Sequence, residues 1–273
     1  MINNKYSVLM PVYYAENAVF FEASINSILS QTVRTDDFVI ICDGPLTDEL
    51  NGVINNETEK YPGLFNIVRL KNNQGLGKAL NIGLKCCKNE LVARMDSDDI
   101  SLNDRCEKQL KIFNNISDVD IVSGIISEFD GDCTNVIGQR VVPELNEEIK
   151  KYARFRCPFN HPCVMYKKTS VNKSGGYQDF YRLEDYYLWV RMLTHGFVGY
   201  NIQQPLLLMR GGNGLYERRS GLRYAMSQFY LMKYMHDIGF INSVDFVKAM
   251  LLRWGAAVCP NSLRRVIYRK FLR

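Results

Sequence analysis

The sequence lacks any apolar run of the ~18 residues that a membrane-spanning helix needs. It carries only three histidines in 273 residues, His161, His195 and His236. No HExxH pair is among them, so zinc hydrolysis has no support. None of the eight cysteines, Cys42, Cys86, Cys87, Cys106, Cys133, Cys157, Cys163 and Cys259, belongs to a CxxC pair. The chain is long and shows no secretory signal, since Met1 to Lys5 leads directly into a strand-like segment. The cysteines therefore read as reduced, mostly buried thiols of a cytosolic protein. GxGxxG and GxxxxGK[ST] are both absent, which removes the simplest dinucleotide and P-loop readings. No internal repeat or low-complexity segment interrupts the chain.

What is present is an ordinary globular composition, 47% apolar and 23% charged, with a net charge of +5. The length allows one large domain, or one domain with an appendage. Buried strands are predicted over Lys5–Tyr13, Phe38–Cys42, Phe65–Leu70 and Leu91–Met95, with helices over Glu16–Gln31, Thr47–Tyr61 and Gly77–Cys87 between them. Strand-helix alternation predicts a mostly parallel sheet flanked by helices. Further strands are predicted over Val119–Phe129, His161–Tyr166 and Phe197–Met209, and helices over Glu144–Phe155, Lys168–Lys173 and Leu183–His195. From Tyr216 onward the pattern is helical, and Lys248–Arg273 holds seven basic residues and no acidic one.

In parallel sheets, ligands bind beyond the carboxyl ends of strands. Acidic turns fall at two such ends. Asp96-Ser97-Asp98-Asp99 sets three carboxylates on four residues after a buried strand. Mutual repulsion makes that unfavourable unless a cation or donor offsets it, and carboxylate oxygens select Mg²⁺ or Mn²⁺. The competing reading is a solvated turn with Asp99 or Ser101 capping the next helix. Asp43-Gly44 is either a ligand contact or a plain turn. Asn72 to Lys78 joins a strand to a helix, and its glycines and Lys78 suit a phosphate or a simple connection. Glu184-Asp185 opens a helix, as macrodipole partners or as a general base. His161, between Asn160 and Pro162, is either structural or functional.

In order, these segments resemble the family-2 glycosyltransferases of the GT-A fold, across about Lys5 to Gly214. The resemblance rests on Val8 to Tyr14, Asp43-Gly44, Asn73 to Gly83, the DxD-type stretch Ala93 to Asp99, and Glu184-Asp185. It implies transfer of one sugar, with inversion, from a nucleotide sugar, most often a UDP-sugar. On that basis Pro11, Val12, Tyr13, Glu16, Asp43, Asn73, Gly75, Lys78, Arg94, Asp96 and Ser97 form the donor site. Asp98, with Asp96, holds Mn²⁺ or Mg²⁺, and Asp185, beside Glu184, is the base. His161 and Trp189 fall on the acceptor side, and Arg210, Arg218 and Arg219 meet the diphosphate.

The implied division is a catalytic domain over residues 1–214 and a basic helical extension over 215–273. Within the first, residues 1–100 form the donor half and residues 101–214 the acceptor half. The chain departs from many relatives in lacking a histidine in Leu208 to Gly214. It also lacks the Gln-x-x-Arg-Trp motif of processive synthases, which argues for one sugar per reaction. Asn160-His161-Pro162 resembles the bacterial subset that builds O-antigen or capsule repeat units on polyprenyl diphosphate. The basic tail, with Leu251, Leu252, Trp254, Val266, Ile267, Phe271 and Leu272, then reads as either an interfacial helix on an anionic membrane or a solvated one. The alternatives are a nucleotidyltransferase, weakened by Pro11 to Asn17 having no glycine, lysine or arginine, and a non-catalytic nucleotide-sugar binder. A nucleic-acid module has no recognised motif behind it.

Overall fold

The computed structural model describes residues 5–211 and 221–258. Arg218, Arg219, Cys259 and the basic residues from Arg264 onward lie outside the described residues. The strands are β1 (Ser7–Val12), β2 (Asp37–Cys42), β3 (Phe65–Arg69), β4 (Leu91–Arg94), β5 (Ile100–Ser101), β6 (Val119–Phe129), β7 (Val136–Arg140), β8 (Met165–Lys167) and β9 (Val198–Arg210). They form one sheet ordered β3-β2-β1-β4-β8-β6-β9-β5, with β7 paired to β6. The sheet is parallel from β3 to β4, as the alternation predicts. Beyond β4 it is mixed: β8 runs antiparallel to β4 and β6, while β9 runs parallel to β6.

Period-two alternation in β1 and β2 feeds two cores. Val8, Met10, Val12, Phe38 and Ile40 face α1 (Ala18–Leu29), α2 (Asp48–Lys60) and α4 (Arg105–Asn115). Leu9, Val39 and Ile41 face α3 (Leu76–Cys86) and α7 (Glu184–Thr194) on the other side. Both neighbours of each strand being covered explains the unbroken apolar runs. Two shorter helices, α5 (Asn146–Ala153) and α6 (Lys168–Lys173), flank the second half. The close seat of α3 needs Gly83, where a Cβ would stand 2.4 Å from Leu9 Cδ1.

Within the C-terminal extension, α8 (Leu222–Asp237) and α9 (Ser243–Val258) pack on the outer face of α7. Tyr186 and Val190 of α7 meet Leu231, Met232, Met235 and Ala249 there. An ion pair from Arg154 to Asp245 and a 2.6 Å hydrogen bond from Arg253 to the Phe155 carbonyl fix α9. Arg253 thus turns inward onto the domain. The seven described cysteines are all unpaired, as expected of reduced thiols.

Beneath the end of β4 lies a buried polar lattice. Arg105, fully buried, donates from Nη2 to the Arg94 carbonyl at 2.6 Å and from Nε to Gln109 at 3.2 Å. Gln109 in turn donates to the Cys163 and Val122 carbonyls at 2.7 and 3.0 Å. Arg105→Leu should cost at least about 1–3 kcal/mol for the stranded Arg94 carbonyl. A lower urea midpoint at unchanged m would confirm it, and an unchanged midpoint would refute it.

Candidate active site

The carboxyl ends of β1, β2 and β4 open onto one cavity of about 680 Å³. Strand order reverses between β1 and β4, the crevice where open α/β sheets bind ligands. Pro11, Val12, Tyr13 and Glu16 form one wall, and Asp43, Asn73 and Gly75 the next. Arg94, Asp96, Ser97 and Asp98 form the floor, and His161, Asp185 and Arg210 stand on the remaining side. With Arg140, the structure gathers residues from eight separate stretches of chain.

The acidic turn is held by specific partners. Arg94, 1% exposed, forms a two-pronged pair with Asp96, with Nη1 to Oδ2 at 2.7 Å. Ser97 Oγ donates to Glu16 at 2.7 Å. The backbone N–H of Arg210 donates to Asp99 at 2.8 Å, and Arg210 Nε donates to the Asp98 carbonyl at 3.1 Å. The Arg210 guanidinium lies over Phe20 and Phe129, 3.7 and 4.7 Å from their ring centres. Burial, then Asp96 and Glu16, push the Asp98 carboxyl up to about 7. Burial, with Asp96 and Asp98 adding to it, raises Asp99 well above the usual carboxylate range.

The profile described as Glycosyl transferase family 2 matches residues 7–175. The chain belongs to glycosyl transferase family 2. An Escherichia coli UDP-Gal:alpha-D-GlcNAc-diphosphoundecaprenol beta-1,3-galactosyltransferase is 38% identical, over 98% of this chain and 97% of its own. The amylovoran biosynthesis glycosyltransferase AmsE of Erwinia amylovora is 34% identical, over 97% of this chain and 98% of its own. The mannosyltransferase PcManGT of Pyrobaculum calidifontis, solved with GDP-Man and Mn2+, superposes at a TM-score of 0.65 and 16% identity. That match covers 97% of this chain and 72% of the mannosyltransferase, and it speaks for the fold. The fold is the GT-A type, and the chain is a glycosyltransferase.

Several positions of this glycosyltransferase differ from expectation. Asp99 caps no helix, because β5 intervenes and Asp104 takes the N-cap position of α4. Asp43 is already engaged: its carboxylate accepts from the Gln74 and Gly75 N–H groups at 2.7 and 3.0 Å. It holds the glycine loop as well as lining the cavity. Lys78 is exposed and away from the cavity, since α3 turns Ala79 and Leu80 inward instead. Arg94 is committed to Asp96, so it positions that carboxylate rather than reaching out for a diphosphate. Trp189 is fully buried and does not line this cavity, which corrects its acceptor-side placement. It is core, packed edge-on to His161 at 5.8 Å and Phe159 at 5.7 Å.

His161 does reach the cavity, braced by a 3.0 Å hydrogen bond between Nε2 and the Tyr177 hydroxyl. Burial, with Arg94 adding to it, holds its pKa well below the usual value, so the ring is neutral. Asp185 stands on the cavity wall, with Oδ1 accepting from the Tyr186 N–H at 2.7 Å. Glu184 does not line it; its Cβ packs where a side chain on Gly77 would stand 3.7 Å away. Sequence reasoning missed Arg140, at the end of the exposed strand β7, which lines the cavity without any motif around it.

Burial, then Asp185, push the Glu184 carboxyl from 4.5 to about 7. The folded state thus holds a proton that the unfolded chain releases above 4.5. Its stabilising share is complete below that pH and lost as pH rises through about 7. Glu184→Gln mimics the protonated form. Its melting temperature relative to the wild type should rise between about pH 5 and pH 8. A pH-independent difference would refute this.

Proposed function

We propose that the chain transfers one sugar, with inversion, from a UDP-sugar to a saccharide carried on a polyprenyl diphosphate. The observation that carries this reading is that Asp185 lines the same cavity as Asp96 and Asp98. A donor held by Pro11, Val12, Tyr13 and Asp43 would present its anomeric carbon between the two sides. Asp185 then takes the proton of the acceptor hydroxyl as that oxygen bonds to the anomeric carbon. The carbon–oxygen bond to the diphosphate breaks on the opposite face, and its electrons leave with UDP. The transition state is oxocarbenium-like, and holding both substrates in line lowers its entropic cost. The UDP-sugar and lipid-linked acceptor follow from the galactosyltransferase at 38% identity.

The residues present fit a divalent cation. Asp96 is paired with Arg94, while Asp98 lines the cavity with its carboxyl pushed up by burial and by Asp96 and Glu16, an excess of negative charge that a cation would offset. No group of three histidine, cysteine, aspartate or glutamate ligands occurs among the described residues. Mg²⁺ and Mn²⁺ suit such a site, because they take one or two carboxylates and complete their shell with phosphate and water. When bound beside Asp98 and Asp96, the ion would stabilise the negative charge developing on the leaving group.

No helix among the described residues is long and apolar enough to cross a membrane. A polyprenyl acceptor nonetheless requires work at a membrane, and we place the protein peripherally on its cytoplasmic face. Val244, Val247 and Leu251 form an exposed apolar stripe on α9 beside Lys248, which suits an anionic surface.

A donor screen reading UDP release, with and without Mn²⁺ or Mg²⁺, tests the reading. Turnover of no nucleotide sugar under any metal condition would overturn it. Asp185→Asn should leave donor affinity near the wild-type value and lower transfer by about 10²–10⁴-fold. Unchanged transfer would remove Asp185 as the base.

A further inference from the structure

A second, smaller cavity of about 80 Å³ adjoins the first. The two share Asp185 and Arg140. Four arginines line it, Arg140, Arg156, Arg182 and Arg253, against the single carboxylate of Asp185. At ~30 Å³ per water, it holds a phosphate-sized group and excludes a sugar ring. It is assembled from distant parts of the chain: the end of β7, the segment after α5, the start of α7, and both C-terminal helices.

Planar guanidinium forks match phosphate oxygens, and four of them converge on this pocket. Unspent hydrogen-bonding capacity points the same way. Gln228 of α8, 4% exposed, lines the pocket with a buried amide oxygen that has no partner. The Nε groups of Arg140 and Arg253 are likewise buried without partners. Terminal amides can be assigned either way round, so Gln228 can present its NH₂ to an anion. Arg182 also sits at φ 59, the only described non-glycine residue with positive φ. Such backbone strain concentrates at ligand sites.

We infer that this pocket binds the phosphate on the acceptor's anomeric carbon, the sugar-side half of its diphosphate. The inference rests on the lipid-diphosphate acceptor proposed above and assigns its anionic group to a site. An acceptor sugar seated over Asp185 has its reacting hydroxyl in the large cavity. The phosphate on its anomeric carbon, a ring's width away, then reaches the small one. Asp185 on the shared wall thus meets a hydroxyl whose position the arginines set. The helices α8 and α9 gain a role in recognition, through Tyr224, Gln228 and Arg253.

The test uses the full chain, the donor identified by the screen, and two acceptors. One is N-acetylglucosamine α-linked to an alkyl diphosphate, and the other is the alkyl α-glycoside of the same sugar. The wild type should show a KM at least about tenfold lower for the diphosphate, the scale of a charge-assisted contact. Arg156→Gln and Arg182→Gln should each raise that KM about tenfold, leaving the KM of the glycoside and of the donor unchanged. Arg156→Lys should recover part of the preference, because the charge is kept. Arg182 is exposed, so its substitution does not threaten the fold. A wild type indifferent to the diphosphate sinks the acceptor reading, and the pocket with it. A preference that survives both substitutions, or an equal loss for both acceptors, overturns the pocket alone.

Discussion

Negative charge gathered at the end of β4 is the constraint around which the donor side is organised. Asp96, Asp98 and Asp99 stand in four residues, with Glu16 close by. Three of the four are met by different devices. A buried guanidinium grips Asp96, a backbone N–H from the far end of β9 meets Asp99, and Ser97 holds Glu16. Arg94 can serve only because its own carbonyl is anchored by Arg105 from α4. The compensation therefore reaches from β1 to β9 and ties both halves of the sheet together.

The other side of the cavity depends on one helix. Its inner face, Leu188, Trp189 and Met192, completes the core over β1 and β2. Its outer face, Tyr186 and Val190, receives the C-terminal helices. With both faces packed, its first turn is fixed, and Asp185 with it. A base on a rigid element keeps its geometry better than one on a loop.

Much of this was legible in the sequence, for a physical reason. The strands β1, β2 and β4 are covered on both faces, so they read as apolar runs, and the turns at their ends carry the chemistry. Signals failed where burial is polar or absent. The core-facing side of α4 is made of Arg105, Cys106, Gln109 and Leu110, which hides the apolar periodicity of a buried helix. The strand β7 is largely exposed, so neither it nor Arg140 stands out. Lys78 and Trp189 were misplaced because a motif gives positions along the chain and says little about which face of a helix turns inward. The competing reading of Asp99 as a cap fails because two residues of strand separate it from the helix.

Trp189, removed from the acceptor side, keeps another value. The chain has two tryptophans, and this one lies fully buried among Phe159, His161, Tyr166 and Tyr177. His161 is the member of that cluster whose ring forms part of the cavity wall. Anything that displaces the imidazole on the substrate side changes the packing of the indole behind it. The protein thus carries a built-in fluorophore one side chain removed from the cavity, a label-free reporter of anything that moves the His161 ring.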